Sequence, residues 1–309
     1  MHNIPPKTQK QYTMINFKNS KLEKLINFIR KSDNKLTEDD REKIIKLIKP
    51  AIGISTIKME ADNLKIGGSK IGGKPDLPKD VPWPRLNGND LVFFAQYNIL
   101  ELKKFDVENL LPEKGMFYIF IGIGGEWNGF SMEQKDCKIF LIENLEDLER
   151  KEYPPTLNLE GKVEPAQILY FESLTIPDDE NYKLIEFDEK YEDFYFHFYQ
   201  YTADYIEEEI NDFENNMHQL LGEDRSVQSS IVYEFSRIEL KISDEDYSEK
   251  WTEVLENSKT FSNLIQLDCH DSNTNLSKFG GSGVFYIGLK TNELEKKDFK
   301  NLMISFQTT

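Results

Sequence analysis

The spacing of apolar residues changes several times along this chain of 309 residues. Over residues 15–50 it is helical: Leu22, Leu25, Ile26 and Ile29, then Ile44, Ile45, Leu47 and Ile48. Residues three and four apart share one helix face, so a helical hairpin is predicted. Thr37 with Asp40 three residues on is close to a capping box at the second helix, and Pro50 ends it. From Ala51 the β-branched run AIGISTIKM predicts a strand. Further strands are predicted at 91–97, 116–123, 137–143, 167–172, 231–242, 261–268, 284–289 and 302–307. Residues 144–151 read as a short helix or an exposed turn. Ser243 with Asp246 opens a helix carrying Tyr247, Trp251, Val254 and Leu255, and a last helical turn starts at Asn292.

Two stretches break these patterns. Residues 72–84, GGKPDLPKDVPWP, hold four prolines and two glycines. Proline lacks the backbone donor and glycine takes φ values that other residues avoid, so helix and central strand are excluded. Leu77, Val81 and Trp83 make the stretch a rigid loop that docks on the strand at 91–97, with Trp83 in the core. Residues 188–224 hold twelve acids, one lysine and nine interleaved aromatics. There Ile206, Ile210, Phe213, Met217 and Leu220 are spaced by four, three, four and three, which predicts one helix face with Gly222 at its C′ position. Phe194, Phe198, Tyr201 and Tyr205 extend the helical spacing upstream.

The two halves echo each other. AQYN (Ala95 to Asn98) matches IQLD (Ile265 to Asp268), and KGMFYIFIG matches SGVFYIGLK. The glutamine-to-glycine distance is 19 residues in the first copy and 17 in the second. The run GGxPxLP, AQxN, LP turn and glycine-led strand resembles the opening of the YwqG-like family, also called domain-of-unknown-function family 1963. The later half resembles that family's LQxD strand, W-G-D-x-G turn, aromatic strand and DL…DF segment. The family's h-x-x-G-x-P-x-x-x-Q segment is matched by HQLLGEDRSVQ, from His218 to Gln228. Phe279 stands where the family has tryptophan, Gly281 where it has aspartate, and Asp224 where proline is usual. The lost aspartate argues against catalysis at that turn. The resemblance implies an α+β fold, mostly antiparallel: a duplicated, sheet-rich roll. The N-terminal helical hairpin packs on it. A flexible leader over 1–14, the hairpin over 15–50, and a main domain over 51–309 with halves 51–187 and 188–309 complete the expected organisation; Met14 is a candidate start.

Charge narrows the partners. The chain carries 38 Lys and Arg against 55 Asp and Glu, a net −17. Such a surface repels phosphate backbones and favours basic protein partners over nucleic acid. There is no apolar run long enough to span a membrane and no secretory h-region, so a cytoplasmic protein with reduced Cys137 and Cys269 is expected. GGSKIGGK fails as a phosphate loop, because the terminal Ser/Thr is missing and Pro75 follows. Cys269-His270-Asp271 invites a nucleophile and base, but neighbours on a strand point to opposite faces. Metal spacing, cofactor fingerprints and catalytic motifs are absent from the sequence.

Gln96 and Gln266, polar within apolar strands, are expected to pin their adjoining loops through backbone hydrogen bonds. The other reading gives Gln96, Gln266, Asp268 and Trp83 a shared ligand groove. Glu207, Glu208, Asp212 and Glu214 form the candidate surface for a basic partner. The expected function is a non-catalytic binding or interaction protein. The resemblance adds a bacterial immunity-type setting, and the alternative is a hydrolase or small-ligand binder using a groove between the halves.

Overall fold

The computed structural model describes residues 20–32, 35–122, 137–157, 162–211 and 217–308. The expected leader over 1–14 lies outside them. The fold is α+β. Its strands, in chain order, are β1 (Lys49–Lys58), β2 (Lys70–Ile71), β3 (Asp76–Pro78), β4 (Arg85–Leu86), β5 (Asn89–Asp90), β6 (Val92–Asn98), β7 (Met116–Ile121), β8 (Cys137–Ile142), β9 (Leu148–Arg150), β10 (Ala166–Thr175), β11 (Gln219–Leu220), β12 (Phe261–Asp268), β13 (Val284–Lys290) and β14 (Met303–Gln307). Ten of them form one antiparallel sheet in the order β8-β7-β6-β2-β10-β1-β11-β12-β13-β14. β3 pairs with β9, and β4 pairs with β5 through an Asn87-Gly88 turn in which both residues have positive φ.

The sheet order reads alike from either edge. β1 and β10 share the centre, paired without a break from Lys49↔Thr175 to Lys58↔Ala166. β2 follows β1 in the chain but pairs with β10, and β11 follows β10 but pairs with β1. The registers agree residue by residue. Lys70 faces Gln96, and Gln219 faces Gln266. Gln96 faces Tyr118, and Gln266 faces Tyr286. A register shift falls between Phe93 and Ala95 in one wing and between Asn263 and Ile265 in the other. After the second strand of each wing come two residues of positive φ, Gly72-Gly73 and Leu221-Gly222. At Gly72 a Cβ would stand 2.3 Å from the Glu164 carbonyl, so glycine is required there.

The sheet rolls. Phe94 on β6 and Phe285 on β13 are six strands apart, roughly 29 Å on a flat sheet at about 4.8 Å per strand. Their rings are 5.1 Å apart, edge to face. The inner face therefore closes on itself into one core, with Ile52, Ile54, Ile119 and Ile287 among its members. The outer face carries two separate clusters, one around Phe93, Tyr118 and Leu77, the other around Tyr233, Phe235 and Tyr286.

Helices pack around the roll. α1 (Ser20–Lys31) and α2 (Glu38–Ile45) are the expected hairpin. Thr37 caps α2 by accepting from the Asp40 N–H at 3.3 Å. α2 ends at Ile45, and Pro50 enters β1 instead of stopping a helix. α3 (Ile99–Leu102), α4 (Ile185–Lys190), α5 (Gln200–Tyr205), α6 (Ile231–Leu240), α7 (Trp251–Ser258), α8 (Ser277–Gly280) and α9 (Thr291–Glu295) follow. Of these, α3, α8 and α9 contribute Ile99, Phe279 and Leu294 to the inner core. π-helical turns at Tyr195–Tyr199 and Ile206–Asn211 flank α5.

Three sequence expectations fail here, one of them in part. Residues 231–242 are helix α6, not a strand. Ile231, Val232, Phe235 and Ser236 are buried at helical spacing, and Asp224 accepts the Ile231 N–H at 3.0 Å, holding the helix start. Residues 144–151 form no helix: the exposed turn at Glu146 and Asp147 is there, but Leu148–Arg150 after it pairs with the pinned loop as β9. The helix drawn through Leu220 stops being one by Gln219, which joins the sheet between β1 and β12. Gly222 consequently follows a strand, and Phe213 lies outside the described residues.

Trp83 is half-buried against Phe120 and Tyr153, with ring centroids 5.8 Å from each. Its Nε1 donates to the Leu91 carbonyl at 2.8 Å. Trp83→Ala removes the ring and this bond, and should lower stability by about 3 kcal/mol, the low end for tryptophan truncations. A denaturant midpoint unchanged within error would show that the loop does not organise the sheet.

Candidate functional site

Each wing is closed by a buried glutamine and a tyrosine. Gln96 accepts the Asp76 N–H on Oε1 at 2.9 Å and donates from Nε2 to the Gly68 carbonyl at 2.8 Å. Tyr118 donates its hydroxyl to the Asp76 carbonyl at 2.6 Å. In the other wing Gln266 accepts the Arg225 N–H at 3.1 Å and donates to the Arg225 carbonyl at 3.2 Å, while Tyr286 donates to that same carbonyl at 2.9 Å. Asp76 and Arg225 thus hold equivalent places, each at the apex of a loop clamped on the outer face.

The structure does not gather the residues of the expected ligand groove. Gln96 and Gln266 are fully buried with their amides engaged. Gln96 is engaged by the Asp76 loop and Gln266 by the Arg225 loop, one in each wing. Asp268 accepts from the Met217 and His270 N–H groups at 3.0 and 2.8 Å, so it caps a turn. Trp83 lies in the outer cluster beside Phe120. Burial pushes the Cys269 thiol up, and its side chain belongs to the core. The histidine near Asp271 is His218, not His270. It is fully buried, takes the Asp268 N–H on Nδ1 at 2.9 Å and faces Asp271 from Nε2 at 3.2 Å.

The acidic segment is answered in part from within. Glu207 pairs with Arg225, and Glu209 with Lys24 of α1 at 2.9 Å. Lys190 and Tyr191 bond to Asp40 of α2. The hairpin's Leu25, Ile29 and Ile44 pack with Phe187, Phe194, Phe198, Ile206 and Ile210. Glu208 remains exposed; Asp212 and Glu214 lie outside the described residues. Tyr201, expected on the buried face, is 65% exposed, and Phe196 is 61% exposed. The π-helical turn sets this: its period is longer than 3.6, so Phe196 and Tyr201, five apart, come to one face. With Glu192, Asp204 and Glu208, all exposed, they make an acidic-aromatic stripe that helical spacing alone hides.

Charge buried under the loops is of two kinds. Burial alone would raise the Asp76 carboxyl, but Arg150 at 2.9 Å and Lys70 at 2.7 Å hold it below its ordinary value. Burial pushes the Lys70 ammonium down to about 8 against the pull of Asp76. Removing one member of such a buried set leaves the others uncompensated. Across the roll, burial and the neighbouring Asp224 charge push Asp178 up to about 8. Among the described residues, no cluster of three or more His, Cys, Asp or Glu is placed to hold a metal ion, and no helix is long and apolar enough to cross a membrane.

A rolled antiparallel sheet, two wings crossed at a shared centre and a glutamine–tyrosine clamp in each wing define an α+β domain with no catalytic constellation among its described residues. Residues 69–308 match the family described as Domain of unknown function (DUF1963), and the chain belongs to that family. No curated protein matches it. The hairpin and β1 precede the matched region.

Asp178 supplies a pH test. The folded chain holds a proton there that the unfolded chain releases near pH 4. This contribution is complete below that pH and is lost as pH rises towards 8. Asp178→Asn keeps the acceptor for the Glu180 N–H at 3.2 Å and removes the titration. The variant should melt higher than wild type at pH 8 and gain less at pH 5. Parallel melting curves at the two pH values would contradict the buried, protonated Asp178.

Proposed function

We propose that this chain is a non-catalytic binding protein that docks a basic protein partner on the stripe of Glu192, Phe196, Tyr201, Asp204 and Glu208. The exposure of Phe196 on a π-helical turn and of Tyr201 just after it in α5 carries the reading. Such turns are rare and occur frequently at functional sites. Protein interfaces draw most of their energy from a few aromatic anchors, while surrounding charge speeds encounter and selects the partner. The hairpin supports the same chemistry, since Lys24 of α1 already pairs with Glu209 on the adjoining side of this segment. Nucleic acid is disfavoured by the acidic surface. An immunity-type role, in which the chain covers a basic protein in the cytoplasm, fits these features. The matched strand registers support a duplicated YwqG-like unit as the frame that presents the stripe.

A photo-cross-linking residue at position 196 should trap a basic protein in cells that express the chain. Phe196→Ala with Tyr201→Ala should weaken that complex at least about tenfold, as loss of interface anchors does. Glu192→Gln, Asp204→Asn and Glu208→Gln together should slow association and flatten its salt dependence at unchanged melting temperature. A trapped partner that binds both variants as it binds wild type would refute the stripe.

A further inference from the structure

A cavity of about 490 Å³ opens where β2 meets β10, lined in part by Lys65, Ser69, Glu101, Lys104, Phe105 and Tyr170. It shares no residue with the acidic-aromatic stripe and does not rest on that proposal. Its charge is unusual for a chain of net −17. Glu101 is committed to the wall, where its Oε2 accepts the Ser69 N–H at 2.9 Å. Lys65 and Lys104 make no ion pair among the described residues; Lys104 Nζ stands 4.6 Å from the centre of the Phe105 ring. The Tyr170 hydroxyl is buried beside the Ser69 hydroxyl, with that of Tyr97 behind it. Ser69, beside Tyr170, already accepts the Asn98 N–H on Oγ at 2.8 Å.

The matching place in the other wing has the same frame and a different filling. Asp268 N–H bonds to His218 as Asn98 N–H bonds to Ser69. Asp271 contacts the His218 ring at Nε2, where Glu101 accepts the Ser69 backbone N–H. Thr56 stands where Tyr170 stands and donates to Asp271 at 2.7 Å. His218, Asp271 and Thr56 are all buried and bonded to one another. The roll therefore closes this place with its own side chains when it can, and an open version with two uncommitted lysines is not required by the fold.

We propose that the β2–β10 cavity binds a small organic anion. Its apolar or aromatic body lies against Leu64, Phe105 and Ile168, and its carboxylate or phosphate head meets Lys65 and Lys104. The two lysines supply attraction without a buried partner to displace, and the apolar wall excludes bare inorganic ions by giving them nothing to desolvate against.

Phenyl phosphate, phenylacetate, inorganic phosphate and benzyl alcohol can be titrated into the full chain by calorimetry and amide NMR. Phenyl phosphate or phenylacetate should saturate one site, moving amides over residues 63–70, 101–105 and 167–170. Inorganic phosphate and benzyl alcohol should bind at least about tenfold more weakly, the loss of roughly one contact's worth of affinity. The stronger of the two aromatic anions tells a phosphate head from a carboxylate. Lys65→Gln with Lys104→Gln should cost tenfold or more, and Leu169→Trp at the exposed rim should block binding. The lysines are exposed, so these variants keep the wild-type melting temperature. Failure of both aromatic anions to saturate by about 10 mM, or equal affinity in the double-lysine variant, overturns the site.

Discussion

The pairing of β1 with β10 holds this molecule together. Ten consecutive residue pairs form the central ladder, and both wings hang from it. The crossing of strands makes the attachment mutual: the first wing is carried by β10, the second by β1. Gly53 marks how close the two strands' side chains come. Its partner Phe171 lies over it so tightly that a Cβ would meet the ring at 2.2 Å, an aromatic covering the backbone that glycine leaves bare. Lys21 of the hairpin in turn lies 5.8 Å from that ring and donates to the Glu172 carbonyl, so α1 is anchored on the central ladder itself.

On this frame each clamp uses one loop residue in two ways. The glutamine and tyrosine hold the backbone of Asp76 or Arg225, which frees the side chain for a second task. Asp76 turns inward and collects Lys70 and Arg150, and Arg150 also donates to the carbonyls of Ala61 and Leu64. Arg225 reaches Glu207 at the second π-helical turn and so ties the acidic segment to the roll. The same backbone clamp secures a closed polar interior in one wing and a surface helix in the other. Burying an ion pair is weak support for stability, but these charges fix which loop conformation is adopted.

Much of this was legible in the chain. The strands at 261–268 and 284–289 stand where the alternation puts them, the Thr37 cap holds, and the AQYN–IQLD echo marks the two clamped strands. The glutamines could be singled out because a buried amide within apolar strands must find partners. The failures have physical causes. Ile231 and Val232 have strand-like side chains, but the helix start is held by Asp224, seven residues before, through a bond no local propensity records. Leu220 fits a helical face equally well, and the open edges of β1 and β12 decide against it. The stripe was hidden because its two aromatics are five apart, a spacing that belongs to neither common period. The cavity was hidden because Ser69, Glu101 and Tyr170 are distant in sequence and meet only through pairing of β2 with β10. Ser69 and His218 correspond only as the residues just before β2 and β11, a match that the strand pairing reveals.

Crossed strands also set an order of events during synthesis. β1 emerges early, but both strands that flank it, β10 and β11, lie more than a hundred residues further on. At about 5–20 residues per second, roughly 6–20 s pass before β10 is made. For that time a ten-residue strand with Ile52, Ile54 and Ile57 has neither ladder partner. β2 waits as well, since it attaches to the sheet through β10 on one side. A basic, amphipathic hairpin immediately upstream of β1 keeps the leading part of the nascent chain charged during the wait, which is the kind of flanking residue set that discourages an unpaired apolar strand from joining another chain.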